Sequence, residues 1–197
     1  MESVQHSSTI RRIIGPTILL KSGAYFDFLD PDNSPFTIGD IAHGLAMTCR
    51  FAGQCDRFYS VAEHSVHASH YVNQRFAFQA LMHDAAEAFI GDVSRPLKDL
   101  LPEYQIIERR IETAVLGRFG INLPLAPEVK EIDLVMLITE QHQMMRSRDA
   151  WDYTRGKRPL EIKLSGWTPE VAKECFLARF SELWAASHHK DSLTKSA

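Results

Sequence analysis

The stretch Phe76-Ala77-Phe78-Gln79-Ala80-Leu81-Met82-His83-Asp84-Ala85-Ala86-Glu87-Ala88-Phe89 decides how the rest of the chain is read. Its alanines and long apolar residues predict one helix from Phe76 to Phe89. Within it an imidazole and a carboxylate, His83 and Asp84, stand side by side directly after apolar Ala80, Leu81 and Met82. Leaving two such groups buried and unpaired would cost roughly several kcal/mol, so they need hydrogen bonds, ion pairs or a metal. A metal ion satisfies both. Neighbouring helix positions point about 100° apart, so the pair can share a cation only if other elements supply the remaining ligands.

Upstream of that helix, Thr37 and Asp40 outline an N-cap with an acidic first turn, and Ile38, Ile41, Ala42 and Leu45 share a face, giving a helix to about Thr48. A loop over residues 50–59 leads to a second helix from Val61 to about Val72. Downstream, residues 91–102 carry Gly91, Pro96 and Pro102 and read as an ordered loop, with Pro102 in the first turn of the next helix and Gly120 stopping it. Pro127 opens a helix to about Met145 in which Asp133 sits beside an apolar stripe. Residues 147–166 read as a connecting loop that covers something, and Thr168-Pro169-Glu170 opens the last helix. Residues 1–16 read as a loose arm and 187–197 as a polar tail. Beta-branched and aromatic residues around Lys21-Ser22-Gly23 predict a small hairpin within residues 18–29. The fold class is therefore all-α with a small N-terminal β-hairpin, in a single domain over residues 17–186.

Composition narrows the function classes. With 197 residues, 45% of them hydrophobic, the chain can bury a core without disulfides. Cys49, Cys55 and Cys175 are odd in number and form no CxxC pair, so neither a disulfide framework nor a thiolate zinc site is signalled, and a reducing cytoplasm fits. A net charge of -3 argues against tracking a nucleic-acid backbone, and no apolar run approaches a membrane span.

Two more residues qualify as partners of His83 and Asp84: His64, in Glu63-His64-Ser65 on the preceding helix, and Asp133. Two neutral imidazoles and two carboxylates offset a divalent charge and leave positions open for water or phosphate, unlike closed structural zinc sites. Imidazole ligands favour Mn, Co, Fe, Ni or Zn over Mg for the one ion expected. Taken alone, His64 is an ordinary structural histidine; its company makes it a ligand. His67 and His70 read as partly exposed helix histidines, and His188-His189 belong to the tail.

The order His64, His83-Asp84, Asp133 resembles the H...HD...D signature of HD-domain phosphohydrolases. Over about residues 37–145, His83-Asp84-Ala85-Ala86-Glu87 followed by Gly91-Asp92, Pro96 and Lys98 is similar to the subgroup of bacterial HD-type 5'-nucleotidases and phage deoxynucleotide phosphohydrolases. The resemblance implies the HD helical bundle, catalytic roles for Glu87 and Asp92, and substrate contacts from Arg50 and Phe51, where those nucleotidases carry Arg-Trp. Phe51 keeps a stacking face but lacks the indole N–H. Lys98 joins Arg50 as a candidate for substrate phosphate, with Arg95, and Arg146, Arg148, Arg155 and Lys157 if their loop folds over the site, available to a longer anion. The expected substrate is a nucleotide, a deoxynucleoside 5'-monophosphate first and a triphosphate second. A non-catalytic nucleotide-binding HD module is the alternative. Self-association as a dimer or higher oligomer is expected from the apolar richness of the last helix.

Overall fold

The computed structural model describes the backbone of residues 15–194 and the side chains of residues 15–186. Most of the arm expected over residues 1–16 therefore lies outside the described residues. The hairpin is present: β1 (Thr17–Leu19) pairs antiparallel with β2 (Tyr25–Asp27), Ile18 opposite Phe26. The rest is mostly helical, with α1 (Ile38–Met47), α2 (Val61–Tyr71), α3 (Ala77–Met82), α4 (Glu87–Ile90), α5 (Arg95–Lys98), α6 (Pro102–Gly117), α7 (Pro127–Met144) and α8 (Pro169–Thr194). No helix among the described residues is long and apolar enough to cross a membrane.

Local chemistry explains the helix starts. Thr37 and Asp40 form a complete capping box on α1, Ser60 caps α2 by accepting from the Glu63 amide, and Pro102 and Pro127 occupy the first turns of α6 and α7. Thr168 accepts from the Val171 amide at the start of α8. The polar segment expected as a tail continues α8 as helical backbone to Thr194.

α2 packs against α3, α7 and α8, and α1 against α4 and α8. One apolar cluster joins the hairpin, α1, α3, α4 and α8; a second lies under α7 around Tyr59, Met136, Met144 and Leu164. Phe176, Phe180 and Leu183 of α8 are buried in the first of these, while Val171 of the same helix is exposed. Phe26 of the hairpin stacks on Phe89 at 4.1 Å between centroids, which fixes the short α4. At Gly44, a Cβ would come within 2.6 Å of the Ala88 carbonyl oxygen, so only glycine lets α1 and α4 approach this closely.

The single helix expected over Phe76–Phe89 is instead two, α3 and α4, joined by a tight turn at residues 83–86. The Ala85 amide donates to the Met82 carbonyl and the Glu87 amide to the Asp84 carbonyl, both at 2.9 Å, the three-residue spacing of a tightened turn. His83 Nδ1 donates to the Ala80 carbonyl at 2.8 Å. That carbonyl is the acceptor the residue-84 amide would take in a continuing α-helix, so the side chain competes with the ladder at the point where it breaks.

Candidate metal centre and cleft

The two histidines come from different elements and converge. His64, fully buried on α2, points its Nε2 at the Nε2 of His83, 3.2 Å away. Each ring has its other nitrogen engaged: His83 Nδ1 donates to the Ala80 carbonyl, and His64 Nδ1 donates to a carboxylate oxygen of Glu140 at 2.6 Å. Donation through Nδ1 turns both Nε2 atoms toward each other, an arrangement that could hold a cation between them.

Carboxylates close the set. Asp133 Oδ1 lies 3.6 Å from His64 Nε2 and 3.9 Å from His83 Nε2. His64, His83 and Asp133 thus form a group that could hold a metal ion. Asp84, expected as the fourth ligand, is outside that group, although its Oδ2 stands 3.2 Å from His83 Nε2 and 3.6 Å from His64 Nε2. A cation about 2.1 Å from each ligand would set neighbouring ligand atoms roughly 3.0–3.4 Å apart. The His64–His83 and His83–Asp84 separations of 3.2 Å fall in that range, and the 3.6–3.9 Å separations to Asp133 exceed it.

Glu140 is the residue the sequence reading missed. It is fully buried, and while one oxygen accepts from His64, the other accepts from Arg50 Nε at 3.0 Å. Its position seven residues after Asp133 puts it two turns along the same face of α7, and that spacing is the signal that could have found it. Burial alone would raise its carboxyl, but Arg50 and then His64 overcome this and hold it below the ordinary glutamate value. Asp133 is likewise held down against its burial by His83, His64, Lys130 and Arg50. Arg50, itself buried, is kept firmly charged despite its desolvation by Glu140, Asp92, Asp84 and Asp133.

The centre opens into a cleft of about 610 Å³ lined by Asp84, Asp133, Arg50 and Phe51 on the metal side and by Glu87, Asp92, Arg95 and Lys98 on the other. Of the expected ligands Asp84 and Asp133 line this cleft, whereas His64 and His83 reach it only through their contacts with those two carboxylates. Glu87 starts the short α4. It is almost wholly buried and its Oε2 has no hydrogen-bond partner. Burial, then Asp84 and Asp92, push its carboxyl well above the ordinary range, against the pull of Lys98 and Arg50. Asp92 is raised too, by burial first and by Asp84, although Arg50 counters it.

Two expectations about cations change. Lys98 lines the cleft, but its ammonium is held between Glu87 at 3.5 Å and Glu108 at 2.5 Å. The loop residues Arg146, Arg148, Arg155 and Lys157 do not line it: Arg146 pairs with Asp56 at 3.3 Å and Lys157 pairs with Glu131. The loop contributes Trp151 and Tyr153 instead, with Arg95 stacked 5.3 Å from the Tyr153 ring centre. It is tied down by Glu63, a buried carboxylate on α2 that accepts from the Gly166 and Trp167 amides. His67 packs its ring near Trp167, and His70 is exposed.

Comparison with known proteins follows this geometry. YfdR of Escherichia coli K12 is 38% identical over 161 residues, covering 81% of this chain and 89% of that protein. The chain belongs to the YfdR family. A Rhodobacter capsulatus protein, RCAP_rcc00048, is 36% identical over 179 residues, covering 80% of this chain and 90% of its own length. Both relatives are described as uncharacterized. No family model matches the chain.

Proposed function

We propose that the chain is a divalent-metal-dependent phosphohydrolase of the HD type that removes the 5'-phosphate of a nucleotide, a deoxynucleoside monophosphate foremost. The observation that carries the reading is the pair of facing imidazole nitrogens, 3.2 Å apart, joined through Asp84 and Asp133 to a cleft lined by a buried arginine and two raised carboxyls. His64, His83, Asp84 and Asp133 would hold the ion. Bound there, a divalent ion supplies Lewis-acid polarisation and acidifies water.

The side chains do the rest. Arg50 presents a fixed positive charge beside the ligands, where it would bind phosphoryl oxygen and offset charge in the transition state. Asp92 stands opposite, suited to orient a water and take its proton. Glu87, raised furthest above the ordinary carboxyl range, is suited to hold a proton for the leaving oxygen. Phe51, Trp151 and Tyr153 offer aromatic faces for a base.

A monophosphate suits this cleft better than a triphosphate, because the extra loop cations lie elsewhere and Lys98 is already paired twice. The test is product analysis with a panel of nucleotides in the presence of Mn or Co. Inorganic phosphate and nucleoside support the proposal. Tripolyphosphate or pyrophosphate release would favour the triphosphate activity, and binding without turnover in metal-loaded protein would favour a regulatory module.

A further inference from the structure

Arg50 and Phe51, the residues that bring charge and an aromatic face to the cleft, lie between two cysteines. Cys49 and Cys55 approach to 3.6 Å between sulfurs, and both are only partly buried. The segment that holds them is closed where Cys49 bridges Ser60 and the Arg50 amide donates to the Tyr59 carbonyl at 2.9 Å, and between the cysteines the Gly53 and Gln54 amides donate to the Arg50 and Phe51 carbonyls. Inside it, Phe51 and Ala52 take left-handed backbone angles, φ 57° and 51°, which non-glycine residues seldom adopt. A strained loop thus carries a thiol at each end, already in contact. Cys175 lies apart in sequence on α8 and serves as an internal control.

We propose that Cys49 and Cys55 form a reversible disulfide across the base of this loop, making the mouth of the cleft responsive to low-molecular-weight disulfides such as oxidised glutathione. One cysteine sulfur attacks the small disulfide, forms a mixed disulfide and releases one thiol. The other cysteine then displaces the second thiol. Two protein thiols become one S–S bond, and their two electrons and two protons leave in the two reduced thiols. Burial, then the contact with Cys49, pushes the Cys55 thiol up to about 11.

Bond formation contracts the sulfur separation from 3.6 Å to about 2.05 Å. Arg50 is anchored from outside the loop by Glu140, so the displacement falls on the segment from Phe51 to Gln54. Substrate contact should change and the metal ligands should not. This consequence rests on the function proposed above; the disulfide itself does not.

The experiment equilibrates the intact protein with graded ratios of reduced and oxidised glutathione, blocks free thiols, and reads each cysteine by peptide mass spectrometry. The expected result is joint protection of Cys49 and Cys55 in a linked peptide, reversed by dithiothreitol, with Cys175 outside the link. In Cys55→Ser the reaction should stop at a glutathione adduct on Cys49. Free Cys49 and Cys55 under conditions that modify Cys175, or adducts that persist unlinked in the wild-type chain, would overturn the disulfide. The linked protein should keep its metal and show a several-fold higher KM for nucleotide; an unchanged KM would overturn the coupling to the cleft. Absence of turnover in the reduced protein counts against the function proposed above and leaves the disulfide result standing.

Discussion

The two walls of the cleft are built on opposite principles. On the α2 and α7 side, His64, Arg50 and Glu140 form a closed network in which each charged or polar group has a buried partner. On the α4 and α5 side, Glu87 keeps an unpartnered buried oxygen, Asp92 is raised by its surroundings, and Arg95 is exposed. A satisfied network fixes positions before any ligand arrives, whereas an unsatisfied wall stores electrostatic tension that a substrate and its protons can relieve. Under the function proposed above, the first wall would bind the ion and the second would handle protons.

The largest effect should come from removing a ligand on the satisfied wall. His64→Ala and Asp133→Ala are each expected to lose bound metal and all metal-dependent turnover while keeping their helical circular dichroism. Full metal stoichiometry in both variants, measured by atomic emission, would show that the inward-facing nitrogens serve another purpose. Next in size is Glu140→Gln, which keeps the shape but weakens the acceptor for His64 and Arg50 together. Metal affinity should fall about 10–100-fold, read by competition with a chelating dye. An unchanged affinity would mean that the network is structural packing alone.

How much of this was legible in the sequence differs between the walls. The capping box at Thr37 and Asp40, the prolines that open α6 and α7, and the alternation at the hairpin are local signals, and the elements they predict are present. His64, His83 and Asp133 were readable because polar groups in apolar surroundings demand partners. Glu140 left one local trace, its seven-residue spacing from Asp133, but its partner Arg50 lies ninety positions away and only folding brings the two together. The break at residues 83–86 was hidden for the same reason: alanine-rich propensity favours one helix, and only the His83 side chain, bonding to Ala80, reveals the competition. The loop cations were misplaced because charge in a loop says nothing about which way the loop folds. Its course is set by Glu63, Thr139 and Gln143, which bind its backbone.

The walls should also titrate in opposite directions. Glu140 and Asp133 sit below their ordinary values, so the stability they contribute is present above the unfolded carboxyl range and is lost as pH falls through their folded values. Glu87 sits above its ordinary value, so the folded state holds a proton the unfolded chain has released, and that stability is lost as pH rises from about 4.5 toward its folded value. Glu87→Gln should therefore raise the melting temperature of the metal-free protein near neutral pH by roughly a few °C and flatten its decline with rising pH, while lowering turnover and leaving metal content intact. A drop in melting temperature at neutral pH would place Glu87 in a stabilising ion pair with Lys98 instead.

The smallest contrast separates cleft cations from loop cations. Arg95→Ala should raise KM for a nucleotide, whereas Arg146→Ala, whose guanidinium pairs with Asp56 on the surface, should change it by about twofold at most. Equal effects from the two would mean that the loop moves over the cleft when substrate binds.

The central claim is that the convergent histidines and aspartates serve phosphate-ester hydrolysis, and phosphate release from deoxynucleoside 5'-monophosphates by the purified chain tests it most directly. Turnover with Mn or Co that chelation abolishes and added metal restores, with Mg less effective, is the predicted result. Full activity in excess chelator with metal absence verified, or metal-loaded protein that releases no phosphate from any nucleotide or simple phosphate ester, would contradict it.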